Sequence, residues 1–165
     1  MLEHRDGPSA ICLTRQGLPV LDQTKYGPAT GVVKGAYILV KAENPDVVLL
    51  ATGSEVQLAL AAAQTLAADH IKAQVVSMPC WELFEQQDKA YKDDVLPPSC
   101  QARVAVEAQV ELGWHKYIGE NGLFVGMSGF GMSGPQQKVF AKFGITSEAV
   151  VQAAHKVIES KSLYG

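Results

Sequence analysis

The pattern of apolar and polar residues becomes regular after Lys34. From there on, the chain has five apolar runs of strand length. Most of them are followed by a segment whose apolar residues have the spacing of a helix. Parallel α/β sheets have this alternation, because each crossover helix covers a face of the sheet. The predicted strands are Ala36–Lys41, Val47–Thr52, Ala73–Met78, Arg103–Glu107 and Leu123–Met127.

Helices are predicted between the strands and at the C-terminal end. Ser54 and Gln57 have the spacing of a capping box, and Ser133 and Gln136 repeat it. Gly144 is suited to ending the helix that Gln136 opens. The predicted helices run from Ser54 to about His70, from Trp81 to Val95, from Glu107 to Ile118, up to Gly144, and from near Thr146 onwards.

The fold class follows from the connections between strands. The loop Ala42–Asp46 is too short for a parallel crossover, so the first strand is predicted to be antiparallel and at an edge. The later strands are joined by helical crossovers. We therefore expect a three-layer α/β domain with a mostly parallel five-stranded sheet and one antiparallel edge strand.

The first 34 residues differ from the rest. Pro8–Leu13 is predicted to be a strand, and a segment rich in glycine and proline follows it. The predicted division is residues 1–34, a strand and linker, and residues 35–165, the α/β domain. A lone strand leaves its backbone groups unpaired, so we expect this segment to be mobile or, preferably, to pair with another copy.

Composition narrows the function classes. The 165 residues are 47% hydrophobic with a net charge of -3, which suits one domain with a real core. The sequence has no basic patch of the kind that would indicate nucleic-acid binding. It also has no apolar run long enough to span a membrane. Cys12, Cys80 and Cys100 lack the spacing of a disulfide framework or zinc site, which favours reduced thiols and a cytoplasmic protein.

Gly129–Gly134 matches the dinucleotide pattern G-x-G-x-x-G between a strand and a helix. No further strand follows to present an acidic residue to a ribose, so a turn is the better interpretation. Structural roles are also favoured, from the residues alone, for the other candidates. They are the anion-binding turn Gly53–Glu55, the cluster Glu107, Trp114, His115 and Tyr117, the thiol of Cys80, and Arg15 as a phosphate ligand at a strand end.

The chain as a whole resembles the C-terminal third of transketolases. The resemblance rests on several long motifs in order: DGPSAICLTRQGLP, VVLLATGSEV, VVSMPCWELFEQQDKAY, VLPP, RVAVEA, GWHKYIG and FGMSGP. It implies that residues 1–34 are the tail of the pyrimidine-binding domain and its exit linker. Residues 35–165 would then be the C-terminal domain.

The resemblance also implies an activity for the full-length enzyme. Transketolases move a two-carbon ketol unit between phosphorylated sugars on thiamine diphosphate with a divalent metal, Mg or Ca, as homodimers. One functional residue carries over: Arg15, in Thr14–Leu18, matches the arginine that holds the sugar phosphate. No catalytic, cofactor-binding or metal-binding residue carries over, so the chain alone is expected to be non-catalytic, with a dimer-supporting or regulatory role.

Two alternatives remain open at this stage. One is an autonomous α/β module that binds a nucleotide or small anion through Gly53–Glu55 or Gly129–Gly134. The other is a docking subunit of a split transketolase, in which the remaining domains are a separate chain.

Overall fold

A single five-stranded sheet forms the centre of the computed structural model, which describes the backbone of residues 6–164 and the side chains of residues 6–160. The strands are β1 (Tyr37–Val40), β2 (Val47–Ala51), β3 (Ala73–Ser77), β4 (Arg103–Val110) and β5 (Leu123–Met127). Their order is β1-β3-β2-β4-β5, with β1 antiparallel to β3 and all other pairs parallel. The predicted sheet, including its antiparallel edge strand, is confirmed.

Six α-helices accompany this sheet in the described part of the chain. They are α1 (Val56–Ala68), α2 (Trp81–Glu85), α3 (Lys89–Val95), α4 (His115–Ile118), α5 (Gln136–Phe143) and α6 (Ser147–Tyr164). Every residue of β2 and β3 is buried, and side chains alternate between faces along a strand. Both faces are therefore covered. Helices α1 and α6 pack together on the sheet, and no helix in the described part of the chain could cross a membrane.

Some helix boundaries differ from the prediction. The segment predicted as one helix from Trp81 to Val95 is two helices, because the Asp88 side chain accepts the Tyr91 N–H at 2.8 Å and starts a new one. Strand β4 continues past Glu107 to Val110, so α4 begins only at His115.

Neither predicted capping box forms. The Ser54 hydroxyl donates to the Glu55 carboxylate, and the Gln57 amide donates to the Ser54 carbonyl. At the other site the residue before α5 is Pro135 rather than Ser133. The chain does use Thr146 as a cap, since its Oγ1 accepts the Ala149 N–H at 3.2 Å.

The segment before β1 has no strand among its described residues, so the predicted strand Pro8–Leu13 is wrong; residues 1–5 lie outside the described part. With no neighbouring strand to pair with, Ile11 and Leu13 are exposed. Further along, Leu21 and Tyr26 pack against the core, and the Gly27 N–H donates to the Leu39 carbonyl at 2.9 Å. The division at residue 34 stays a prediction.

Candidate functional site

A cleft lies where the parallel strands β2, β3 and β4 end. Ligands bind in this position in many open α/β sheets, because the strand ends and the turns after them converge there. The cleft is open and has a volume of about 230 Å³. Its lining residues are Thr52, Met78, Pro79, Cys80, Trp81, Glu82, Glu107, Gln109 and Trp114.

Glu107 brings a half-buried carboxyl group into this cleft. Its Oε2 accepts a hydrogen bond from the indole Nε1–H of Trp114 at 2.8 Å. Burial raises the pKa of Glu107, and the neighbouring charge of Glu55 raises it further, while the indole hydrogen bond acts in the opposite direction. The prediction that Glu107 follows a strand and lies at its carboxyl end needs one adjustment, since β4 runs on for three more residues.

Glu55 is the second carboxyl group at this edge, and only 5% of it is exposed. It belongs to the short 3₁₀ turn Gly53–Glu55 after β2, and it accepts hydrogen bonds from the Ser54 hydroxyl and the Ala108 N–H. Burial is the largest cause that raises the pKa of Glu55. The sequence analysis treated Gly53–Glu55 as a turn and did not predict that Glu55 is buried. No local pattern signals this burial, because it depends on β2 and β4 being neighbours in the sheet.

An aromatic cluster surrounds Trp114, the residue that donates to the Glu107 carboxyl group. Trp114 is fully buried, and its ring meets that of Trp81 edge to face at 5.3 Å between centroids. Tyr117 lies 5.4 Å from the Trp81 ring. Gly113 has a φ of +88°, and a Cβ there would lie 2.3 Å from Trp81, so this position requires glycine.

Arg103 is hydrogen-bonded to α4, the helix that carries Tyr117 of this cluster. Its guanidinium donates to the Tyr117 carbonyl at 2.8 Å and to the Cys100 carbonyl at 3.0 Å. It also donates to the carbonyls of Leu96 and Pro97. One side chain therefore joins the end of α4 to the loop between α3 and β4.

In this arrangement the carboxyl groups of Glu55 and Glu107 both have a raised pKa, so each keeps its proton to higher pH than an ordinary carboxylic acid does. Two neighbouring carboxyl groups in partly dry surroundings oppose each other's ionisation. The Cys80 thiol also lines the cleft, and its Sγ lies 3.4 Å from Glu82 Oε2. In the described residues, no group of three or more His, Cys, Asp or Glu side chains is placed to hold a metal ion.

The remaining candidate residues lie elsewhere. Arg15 lies in an exposed bend of the segment before residue 20 and does not line the cleft. His115 is exposed, with its Nε2 3.4 Å from Glu111 Oε1. The loop Gly129–Gly134 is exposed, and none of its glycines has a positive φ. Its Phe130 ring is fully exposed.

Comparison with known proteins decides the family. The family model of the transketolase-like TK C-terminal domain matches residues 35–146. The chain belongs to the transketolase C-terminal domain family. The transketolase of Aquifex aeolicus is 49% identical over 159 residues, which is 96% of this chain and 23% of that protein. Transketolase 1 of Escherichia coli is 44% identical over 158 residues, 95% of this chain and 24% of that protein.

Solved transketolase structures share this fold. The Pichia stipitis transketolase in complex with sedoheptulose-7-phosphate has a TM-score of 0.81 at 36% identity, over 90% of this chain and 21% of that one. The Leishmania mexicana transketolase has a TM-score of 0.74 at 44% identity, over 79% of this chain and 19% of that one. The chain as a whole spans about a quarter of the length of the curated relatives that it matches.

Proposed function

We propose that this chain is the C-terminal portion of a cytoplasmic, homodimeric transketolase. The full-length enzyme transfers a two-carbon ketol unit between phosphorylated sugars. This portion supports the dimer or regulates the enzyme, and it is inactive alone. The single observation that supports the proposal most is the 49% identity to a transketolase over 159 residues, which includes the segment before the C-terminal domain.

Thiamine diphosphate and its Mg or Ca ion belong, in this proposal, to parts of the enzyme other than residues 1–165. The described residues offer no cluster of three or more metal-ligating side chains. The carboxyl pair at Glu55 and Glu107 does not fit a diphosphate either, because like charges would face each other. In this proposal, the residues of this chain perform no step on the cofactor.

Arg15 is the residue that we propose contacts substrate. A guanidinium can donate two parallel N–H bonds to a phosphate, which suits it to sugar phosphates. Its exposed position leaves the guanidinium accessible to a ligand that the rest of the enzyme would hold.

A chimaera tests the proposal. This chain replaces the matching C-terminal segment of Escherichia coli transketolase 1, to which it is 44% identical. We expect ketol transfer and dimer formation well above those of the E. coli enzyme truncated before that segment. A chimaera that folds and dimerises like the parent yet transfers no ketol group would contradict the proposal.

The isolated chain provides the matching control. Titration calorimetry with thiamine diphosphate and magnesium is expected to give no binding. Binding at micromolar affinity would show that the chain holds the cofactor on its own, against the proposal.

A further inference from the structure

An open groove lies at the opposite edge of the sheet from the carboxyl cleft. It is bounded by the second half of α1, by the residues that lead into β3, and by the end of β1, which reaches this edge because β1 runs antiparallel. Lys25 and Tyr26 of the segment before β1 line its remaining side. Its volume is about 900 Å³, which is within the usual range for small-molecule sites.

The floor of the groove is apolar. Helix α1 contributes the small side chains Ala63 and Ala67 beside Leu60, and the short alanine side chains leave the space open. The opposite wall is formed by Val40 and Ile71. An apolar body placed here would lose contact with water on several sides, which is favourable in proportion to the area covered.

The charged groups of the groove are mostly positive. Lys25, Lys41 and Lys72 line it together with His70, whereas Glu43 is the acidic residue in its lining. Lys41 is shared with Asp94, with which it forms an ion pair. Counted with Asp94, the three lysines face two carboxylates, so the groove keeps a net charge of about +1, carried by Lys25 and Lys72, in a chain whose net charge is -3. Such a rim attracts anions, and salt weakens the attraction.

We propose that this groove binds a small anionic amphiphile. Such a ligand has an aliphatic or aromatic body, which lies on the alanine floor, and a carboxylate, sulfonate or phosphate head near Lys25 and Lys72. The apolar floor and the basic rim are both needed, so neither an inorganic anion nor a cationic amphiphile fits. This proposal does not depend on the proposed transketolase activity.

Two anionic amphiphiles serve as probes of the intact chain. Anilinonaphthalene sulfonate reports binding through its fluorescence, and decanoate competes with it. Decyltrimethylammonium and inorganic phosphate are the controls, since one reverses the charge and the other lacks the apolar body. We expect decanoate to displace the dye, both controls to fail, and the affinity to fall as ionic strength rises.

Paired substitutions locate the site. Ala67→Trp fills the groove, whereas Ala68→Trp places the same ring on an exposed position of α1 outside it. We expect the dye affinity to fall roughly tenfold or more in the first variant only, because the ring occupies the apolar floor. Circular dichroism verifies that both variants keep their helices.

The charge of the rim is tested separately. The double variant Lys25→Gln with Lys72→Gln is expected to weaken binding about fivefold, as expected for two solvent-exposed ion pairs. The control is Lys138→Gln with Lys156→Gln, at exposed positions outside the groove. Equal effects in both double variants, or dye binding that survives the filled groove, would overturn the proposal. If Ala67→Trp does not fold, the two lysine pairs decide.

Discussion

Glu107 shows how much one side chain is affected by its surroundings. Its carboxyl group lines the cleft and accepts a hydrogen bond from the Trp114 indole N–H. The buried Glu55 carboxyl group is close enough to affect its ionisation. Burial and the neighbouring carboxylate raise the pKa of Glu107 in the folded chain. The folded state therefore holds this proton more tightly than the unfolded chain does. The resulting stabilisation is fully present below the unfolded value near 4.5 and is lost as pH rises through the folded pKa.

Glu107→Gln should reduce this pH dependence. The amide oxygen can still accept the indole hydrogen bond, but the group no longer ionises. We expect the free energy of unfolding to fall less in this variant than in the parent between about pH 5 and about pH 8. Urea denaturation followed by far-ultraviolet circular dichroism measures it. The control is the exposed Glu120→Gln, and identical pH profiles for parent and Glu107→Gln would refute the assignment.

Arg15→Ala should separate phosphorylated from unphosphorylated substrates. In the active chimaera, we expect KM for a phosphorylated sugar to rise about 10- to 100-fold, because a hydrogen bond to a charged group contributes roughly 1.5–3 kcal/mol. The KM of the Arg15→Lys variant should lie between those of the parent and Arg15→Ala, because an ammonium group cannot donate two parallel hydrogen bonds to a phosphate. An equal loss with unphosphorylated sugars would rule out the phosphate contact.

At the scale of the elements, the five strands of the sheet were predictable, whereas the helix ends and the absence of a strand at Pro8–Leu13 were not. Apolar runs such as Val47–Ala51 need burial on both faces, and few other structures provide it. Whether a residue caps a helix depends instead on whether the preceding turn brings its side-chain oxygen within hydrogen-bond distance of a free N–H. Ser54 and Ser133 have the right spacing, yet Asp88 and Thr146 are the residues whose oxygens meet the free N–H groups.

This difference predicts unequal costs for two similar substitutions. Asp88→Ala should lower the free energy of unfolding by about 1 kcal/mol, because it removes the acceptor of the Tyr91 N–H. Ser133→Ala should change it by less than about 0.5 kcal/mol. Chemical denaturation of the two variants beside the parent measures both values. A loss from Ser133→Ala as large as that from Asp88→Ala would show that Ser133 does cap α5.

At the scale of the molecule, the fold class was predictable, but part of the site and the path of the linker were not. The short loop Ala42–Asp46 was enough to predict the antiparallel edge. The burial of Glu55 depends on β2 and β4 being neighbours, which no local pattern specifies. Likewise, Tyr26 is surrounded by glycine and proline in sequence, and only the folded chain shows that it packs on the core.

Two truncations test the division of the chain. Deleting residues 1–19 should change stability by less than about 0.5 kcal/mol, because the described part of that segment is largely exposed. Deleting residues 1–33 should leave a folded domain that is less stable by about 2 kcal/mol, since it also removes the packing of Leu21 and Tyr26. It should also weaken any dimer.

Thermal unfolding and sedimentation velocity follow both deletions. A chain that cannot fold without residues 1–33 would mean that the boundary near Lys34 is misplaced. A dimer that survives both deletions unchanged would place the interface within residues 34–165.

The edge-to-face contact of Trp81 and Trp114 has a consequence for spectroscopy. These are the two tryptophans of the chain, and both line the cleft that holds Glu107. Intrinsic emission is therefore a local reporter rather than a global one. It should respond to events at α2, α4 and the end of β4, and remain unchanged by decanoate, a ligand that does not absorb tryptophan emission, in the groove beside α1.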